Sequence, residues 1–289
     1  MSEHTVYAIA SGKGGVGKTT TTVNLGTALA GAGNQVVVID ADIGMANLAG
    51  FVSLDGAATT LHDVLADEAT IDDALYSLAD GISAIPSGTD LESYAEAETE
   101  GLATVVARLK ERFDFVLLDV GAGISHETVL PLGVSDGVIL VSTPDPASVQ
   151  DARKTIELTE RTDGRVIGLV VTRFRPDGTV AAEAIADQLD LELLGAIPED
   201  DAVRTSIHEG TPVVVDAPIS EAATAYKRIA ARLLGDSDGA PASEAESSSK
   251  AEEPPREEDE SESDDTDGES SAASESDVSD AIKNLDDGD

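Results

Sequence analysis

Short apolar runs alternate with longer amphipathic stretches along the first 235 residues of the chain. The runs are four to six residues long and rich in Val, Ile and Leu, as expected for strands buried on both faces. They predict strands at Val6–Ala10, Val36–Ile39, Phe115–Leu118, Val138–Val141 and Val166–Val171, with weaker candidates at Ile82–Ile85 and Leu193–Ile197. The stretches between them predict helices, among others at Thr19–Ala32, Leu102–Arg112, Ala147–Arg161 and Val180–Leu189.

Strands that alternate with helices form βαβ units, and such units build a mostly parallel sheet. The predicted fold class is therefore α/β, with three layers: a central, mostly parallel sheet and helices on both of its faces. Residues 1–235 are enough for one domain with a sizeable core. Ligands of such folds bind at the carboxyl ends of the strands.

The alternating pattern stops after Leu234. Residues 236–277 are mainly Ser, Glu, Asp, Ala and Pro, which bury too little apolar surface to offset the entropy of ordering, so they predict a disordered acidic linker. Residues 278–285 predict a short amphipathic helix, because Val278, Ala281, Ile282 and Leu285 fall on one helical face. Two interpretations of this helix stay open: a frayed end without a role, or a docking peptide that folds on a protein partner.

Acidic residues dominate the charge of the whole chain. The net charge is −39, of which residues 236–289 contribute −18 through 21 acidic and three basic residues. The remaining −21 should repel nucleic acid and anionic lipid headgroups, and it predicts an origin in a high-salt cytoplasm that screens self-repulsion. There is no cysteine, which excludes disulfides and thiolate metal sites. No stretch reaches the roughly 18 apolar residues that span a membrane, so we expect a cytoplasmic protein.

A glycine-rich loop joins the first predicted strand to the first predicted helix. Gly12-Lys13-Gly14-Gly15-Val16-Gly17-Lys18-Thr19 fits the G-x-x-x-x-G-K-[ST] pattern of a P loop. Its glycines let backbone N–H groups turn towards a phosphate, and the helix that follows adds its positive end. Lys18 can reach the β- and γ-phosphates, and the Thr19 hydroxyl can ligate Mg²⁺. We therefore expect ATP and Mg²⁺ as cofactors, with Thr20 completing the phosphate-binding segment.

Two acidic strand ends follow in the sequence. Asp40 and Asp42 end the second strand, and their spacing places both side chains on the same side of it. Asp42 can orient the attacking water, and Asp40 can support the water shell of the metal or tune Asp42. The alternative for both residues is a turn in which the carboxylate caps the next helix. Asp119 ends the apolar run Phe113–Leu118, an arrangement in which we expect it to hold Mg²⁺ through water.

Lys13 is a second lysine five positions before Lys18, and the loop Lys-Gly-Gly-Val-Gly-Lys-Thr-Thr resembles that of the MinD/ParA family of deviant Walker A ATPases. The resemblance extends over Val6–Leu234. It implies an ATP-dependent homodimer in which Lys13 acts on the nucleotide of the partner and Lys18 on that of its own chain. The segment Asp40–Leu48 resembles the first switch of the MinD branch, which implies that Asn47 positions water or phosphate.

The resemblance also implies a base site. Val170-Val171-Thr172-Arg173 is similar to a family segment that has asparagine at the position of Thr172. In the family, this asparagine recognises adenine. Because threonine replaces it here, the sequence gives weaker support for ATP over GTP as the bound nucleotide. The segment Gly195–Asp200 matches a later loop, from which backbone contacts to the base begin at Pro198. A second departure is Gly121, where the family has proline, which implies a more flexible loop after Asp119.

The MinD branch implies a slow, partner-stimulated ATPase that positions cellular machinery, such as the division site or polar structures. Proteins of that branch usually end in a basic amphipathic helix that binds the membrane, whereas Lys283 is the single basic residue of the predicted helix 278–285, which disfavours a position at the inner membrane face. We expect protein partners to bind the tail or the switch loops. A ParA-like DNA-partitioning ATPase needs a basic face, which the charge disfavours. An iron–sulfur carrier needs cysteine ligands, and because the sequence has none, this class is excluded. A non-hydrolysing, nucleotide-gated scaffold stays open.

Overall fold

The computed structural model describes residues 4–54, 56–88, 101–123, 126–178 and 180–235. The predicted linker 236–277 and the predicted helix 278–285 lie outside the described residues, so both stay predictions. Within the described part, eight strands form a single sheet in the order β3-β4-β2-β5-β1-β6-β7-β8. The strands are β1 Thr5–Ala10, β2 Val36–Ala41, β3 Tyr76–Ala79, β4 Ile82–Ile85, β5 Phe115–Val120, β6 Gly137–Ser142, β7 Val166–Phe174 and β8 Leu193–Pro198.

Every pair of neighbouring strands in this sheet is parallel except β3 and β4. The helices are α1 Lys18–Gly31, α2 Leu48–Phe51, α3 Leu61–Leu65, α4 Leu102–Lys110, α5 His126–Val134, α6 Pro146–Arg161, α7 Ala182–Leu189, α8 Asp201–Glu209, α9 Val213–Asp216 and α10 Glu221–Leu233. The predicted α/β class is confirmed, and each of the seven predicted strands is present. Among the described residues, none of these helices combines the length and the apolarity that crossing a membrane requires.

Successive side chains of the central strands enter two different cores. In β5, Leu117 packs in a core with Leu25 of α1 and Tyr226 of α10, whereas Leu118 packs in another with Leu109 of α4. This alternation follows from the two-residue period of a strand. Because both faces of β5 are apolar, the strand has to be covered by helices on both sides, which fixes the three-layer arrangement.

The antiparallel edge strand β3 was not predicted. Its residues alternate between half-buried and exposed, so it lacks the continuous apolar run that marks the central strands. Asp80-Gly81 connects it to β4, and Gly81 has a φ of +79°. An Asp-Gly pair between two short strands is a hairpin signal, and it is the feature from which β3 could have been found.

Candidate nucleotide-binding site

The loop of residues 11–17 leaves β1 at the carboxyl edge of the sheet and leads directly into α1. Gly15 and Gly17 have φ values of +74° and +98°, a backbone conformation that other residues rarely adopt. Gly17 is the N-cap residue of α1, whose start has neither a side-chain cap nor an acidic residue in its first turn. The first N–H groups of α1 are thus left for another acceptor, and its positive end favours an anion.

Strand β7 supports the loop from one side. The Thr172 hydroxyl donates to the Val16 carbonyl at 2.5 Å and lies 3.3 Å from the Ser142 carbonyl. The Arg173 guanidinium donates to the Gly15 carbonyl at 2.6 Å. The Thr172 side chain therefore fixes the backbone of the loop, a role that its place at a strand end did not indicate.

Lys18 and Asp119 form the charged centre of the site. Burial lowers the pKa of Lys18, and the charges of Asp119 and Asp42 act in the opposite direction. Burial raises the pKa of Asp119 to about 6, against the effects of Thr19, Lys18 and Thr22, and the Thr22 hydroxyl donates to Asp119 Oδ1 at 3.2 Å. Because these influences act over short distances, they place Lys18, Thr19, Asp42 and Asp119 in one neighbourhood.

The other carboxylate oxygen of Asp119 is buried and has no hydrogen-bond partner among the described residues. A buried acceptor without a partner is costly unless a cation or water occupies the space in front of it. No group of three or more His, Cys, Asp or Glu side chains in the described part of the chain could hold a metal by itself. The donor set therefore fits Mg²⁺, which prefers one or two protein oxygens and takes its other ligands from phosphate and water.

The start of α1 contacts the loop after β2. The Thr19 hydroxyl donates to Asn47 Oδ1 at 2.7 Å, and the Asn47 amide donates to the Met45 carbonyl at 3.1 Å. Asn47 is thereby brought next to the proposed metal ligand Thr19. A ligand that competes for the Thr19 hydroxyl would release Asn47, so this contact can respond to occupancy of the site.

Asp40 holds the turn that carries Asp42 and Asn47. It is fully buried, and its Oδ1 accepts from the Asp42 N–H at 3.2 Å, while its Oδ2 accepts from the N–H groups of Asn47 and Leu48 at 3.0 Å each. Burial and the neighbouring Asp119 raise its pKa to about 7, although the three N–H donors lower it. Since both oxygens are used, the geometry favours the turn interpretation of Asp40 over its assignment to the metal.

Asp42 lies at the open side of this turn. Its Oδ1 accepts from the Met45 N–H at 3.2 Å. A Cβ atom at Gly121 would lie 2.9 Å from Asp42 Oδ1 and 3.1 Å from its Cγ. The missing side chain at Gly121 therefore lets the Asp42 carboxylate approach the end of β5, which gives a steric reason for glycine beyond the flexibility that the sequence suggested.

Lys13 forms an ion pair at the surface beside the loop. Its Nζ lies 3.0 Å from Oδ2 of Asp145, and both side chains are about half exposed. Asp145 is also the N-cap of α6, since its Oδ1 accepts from the Ala147 N–H at 3.2 Å. Asp145-Pro146 carries the signal of a helix start in the sequence, but nothing there indicated its pairing with a lysine 132 positions earlier.

A cavity of about 370 Å³ adjoins the loop between β7, β8, α8 and α10. Thr172 and Pro198 both line it, so the structure brings the two predicted base-site residues together. Tyr226 of α10 also lines it; this residue is buried, and its hydroxyl lies 3.5 Å from that of Thr21. Sequence reasoning did not identify Tyr226, because a single tyrosine in an amphipathic helix is typical of a core position.

Comparison with known proteins agrees with this geometry. The model of a family described as the CobQ/CobB/MinD/ParA nucleotide binding domain matches residues 7–213. An uncharacterised ATP-binding protein of Methanocaldococcus jannaschii is 42% identical over 229 residues, covering 79% of this chain and 87% of that protein. The septum site-determining protein MinD of Synechocystis is 37% identical over 238 residues, covering 80% and 89%. The structure of MinD from Pyrococcus horikoshii, complexed with Mg-ADP, is 33% identical with a TM-score of 0.76, covering 82% and 98%.

The chain therefore belongs to the MinD/ParA family of P-loop nucleotide-binding proteins. The resemblance that the loop and the segment Asp40–Leu48 indicated is confirmed, as is its extent over most of the folded domain.

Proposed function

We propose that this protein is a MinD-like ATPase that binds ATP with Mg²⁺, dimerises around it, and positions cellular machinery such as the division site or polar structures. The observation that carries the proposal is the buried Oδ2 of Asp119, which accepts no hydrogen bond from the part of the chain that the structure describes and lies beside Lys18 and the open start of α1. The relatives support it, because MinD proteins are among the matches and one was solved with Mg-ADP.

In this proposal the loop of residues 12–17 and the start of α1 hold the phosphates through backbone N–H groups. Lys18 would lie against the β- and γ-phosphates, where its ammonium neutralises the charge that develops. Bound Mg²⁺ supplies further charge neutralisation at the phosphate oxygens. Thr19 and Asp119 would hold it, the first directly and the second through water.

Asp42 orients the attacking water in this scheme. It lies at the rim of the site, half-buried, and Gly121 leaves the space that the carboxylate needs. Asn47 would assist once its contact with Thr19 opens, and Asp40 acts indirectly by holding the turn that carries both. Thr172 supports the loop, while Pro198 and the backbone beside it line the cavity of about 370 Å³. In this proposal that cavity receives the base of ATP, and we call it the base cavity.

Dimerisation would complete the site. Lys13 lies on the surface and pairs with a half-exposed carboxylate, so its ammonium can leave Asp145 for a phosphate of the partner at little cost. A site that lacks one of its cations until a second chain arrives would hydrolyse ATP slowly and respond to partners. We place this activity in the cytoplasm, at the division site or a cell pole.

The variant Asp42→Ala tests the assignment of an ATPase against a non-hydrolysing scaffold. The wild-type protein should turn over Mg-ATP, whereas the variant should bind it with similar affinity, lose at least about a hundredfold in turnover, and accumulate as an ATP-bound dimer. Steady-state phosphate release and sedimentation in molar KCl measure these outcomes. Wild-type protein that binds Mg-ATP without measurable turnover would leave the scaffold as the better description.

A further inference from the structure

The Asp200 carboxylate joins the starts of two helices that are separated in sequence. Its Oδ1 accepts from the Ala202 N–H at 2.9 Å, which caps α8, and its Oδ2 accepts from the Ala222 N–H at 3.2 Å, in the first turn of α10. Each bond satisfies a backbone donor that a helix start otherwise leaves without a partner. One side chain thus holds α8 and α10 at a fixed relative position.

These two helices form walls of the base cavity. Val203 and Ile207 of α8 line it, and so does Tyr226, one helical turn after Ala222 in α10. Asp200 itself follows directly on Pro198 and Glu199, which supply a third part of the lining. The Glu199 N–H donates to the Phe174 carbonyl of β7 at 2.8 Å, so the segment that carries Asp200 is itself fixed to the sheet.

We propose that Asp200 is a positioning residue that sets the width of the base cavity by bridging α8 and α10, and thereby determines how tightly the protein holds a nucleobase. This inference rests on the proposed function, because the cavity is taken to receive the base of ATP. Asp200 does not act on the phosphates. Its loss should therefore weaken the contribution of the base to binding and leave the contribution of the phosphates unchanged.

Two substitutions of Asp200 test how the affinity for Mg-ATP depends on its two hydrogen bonds. Asp200→Ala removes both hydrogen bonds, whereas Asp200→Asn keeps one acceptor oxygen and can cap only one helix at a time. We expect the Kd for Mg-ATP to rise about fivefold to tenfold in Asp200→Ala and by a smaller factor in Asp200→Asn. The Kd for Mg-tripolyphosphate, which has no base, should stay within about twofold of the wild-type value in both variants, and so should kcat at saturating ATP.

Ser220→Ala is the matched control. The Ser220 hydroxyl accepts from the Ala223 N–H at 3.2 Å, so it caps α10, one of the two helices that Asp200 joins. Ser220 is not among the described residues that line the base cavity. This variant should lower the melting temperature as the loss of a cap does, without changing either Kd.

The experiment separates this inference from the proposed function. Equal losses of affinity for Mg-ATP and Mg-tripolyphosphate in Asp200→Ala, or an unchanged affinity for Mg-ATP, would overturn the positioning role while the ATPase assignment stands. An increase of the Mg-ATP Kd in Ser220→Ala as large as that in Asp200→Ala would also overturn it. Wild-type protein that binds neither ligand would remove the proposed function itself.

Discussion

Lys13 and Asp145 form an ion pair of 3.0 Å within one chain, at the edge of the phosphate-binding loop. The hydrogen bond from Lys13 lowers the pKa of the Asp145 carboxyl, which keeps this carboxylate charged at neutral pH. Exposed pairs of this kind contribute little to stability and are screened by salt. The pair therefore keeps Lys13 at the surface and available for exchange against a stronger anion.

The variant Lys13→Ala should separate binding from dimerisation. Because Lys13 is paired outside the charged centre, the variant should bind Mg-ATP with a Kd within about threefold of wild type. It should no longer form the ATP-dependent dimer, and hydrolysis should fall to background. The comparison is Lys18→Ala, which removes a charged partner of the phosphates and should cost about tenfold to a hundredfold in Kd. Equal losses of binding in the two variants would contradict a role of Lys13 towards the partner.

Gly121→Ala should displace Asp42. The added Cβ would lie 2.9 Å from the Asp42 carboxylate, so this side chain has to move away from the end of β5. We expect turnover to fall about tenfold or more, with the Kd for Mg-ATP nearly unchanged, because misplacement of a group that orients the nucleophile acts on kcat. Gly123→Ala is a useful comparison, since a Cβ there meets no atom of the described residues within 4 Å, although its φ of +101° adds backbone strain. If Gly121→Ala keeps wild-type turnover, Asp42 does not orient the water.

Removal of Mg²⁺ should lower the thermal stability of the nucleotide-bound protein. A ligand present at a hundred times its Kd adds about 2.7 kcal/mol to the free energy of unfolding, and chelation with EDTA should remove most of this gain. In Asp119→Asn the shift in melting temperature caused by Mg-ADP should largely disappear. The ligand-free variant should be at least as stable as wild type, because the substitution removes a carboxylate whose burial raises its pKa. Differential scanning fluorimetry measures both effects, and an undiminished Mg-ADP shift in the variant would contradict the metal role.

Asp40 should make stability fall as the pH rises. Burial raises its pKa in the folded state to about 7, from an ordinary value of 3.8, so the folded protein holds this proton more tightly than the unfolded chain. The stabilisation is present below about pH 4 and is lost as the pH rises towards 7. Urea denaturation between these limits, without nucleotide or Mg²⁺, should show a weaker pH dependence in Asp40→Asn than in wild type. Identical profiles would show that Asp40 does not titrate in this range.

The sequence predicts the central sheet well because each central strand is a continuous apolar run, and buried parallel strands require such runs. It also predicts the P loop, Asp42 and Asp119, because these residues lie at strand ends that the topology brings to one edge. It does not predict contacts whose geometry is set by the folded loops. Three such contacts depend on loop geometry that no local sequence pattern encodes. They are the pairing of Lys13 with Asp145, the hydrogen bonds from the turn to both Asp40 oxygens, and the bridge from Asp200 to Ala222.

Deletion of residues 236–289 should leave nucleotide binding and ATPase activity intact and should abolish positioning in the cell. The reason is that every residue assigned here to the site lies before position 236, whereas the predicted docking helix lies in the deleted segment. Phosphate release by the truncated protein and imaging of tagged full-length and truncated chains measure the two effects. Loss of nucleotide binding on truncation would contradict this division of roles, and unchanged localisation would assign partner binding to the folded domain.

The most direct measurement is the titration of the purified protein with Mg-ATP in molar KCl by isothermal calorimetry, with Lys18→Ala as the comparison. We predict one Mg-ATP per chain for wild type and a binding constant reduced about tenfold or more for Lys18→Ala. Wild-type protein that releases no heat of binding, or a Lys18→Ala variant that binds Mg-ATP as tightly as wild type, would contradict the assignment of this loop as the phosphate site.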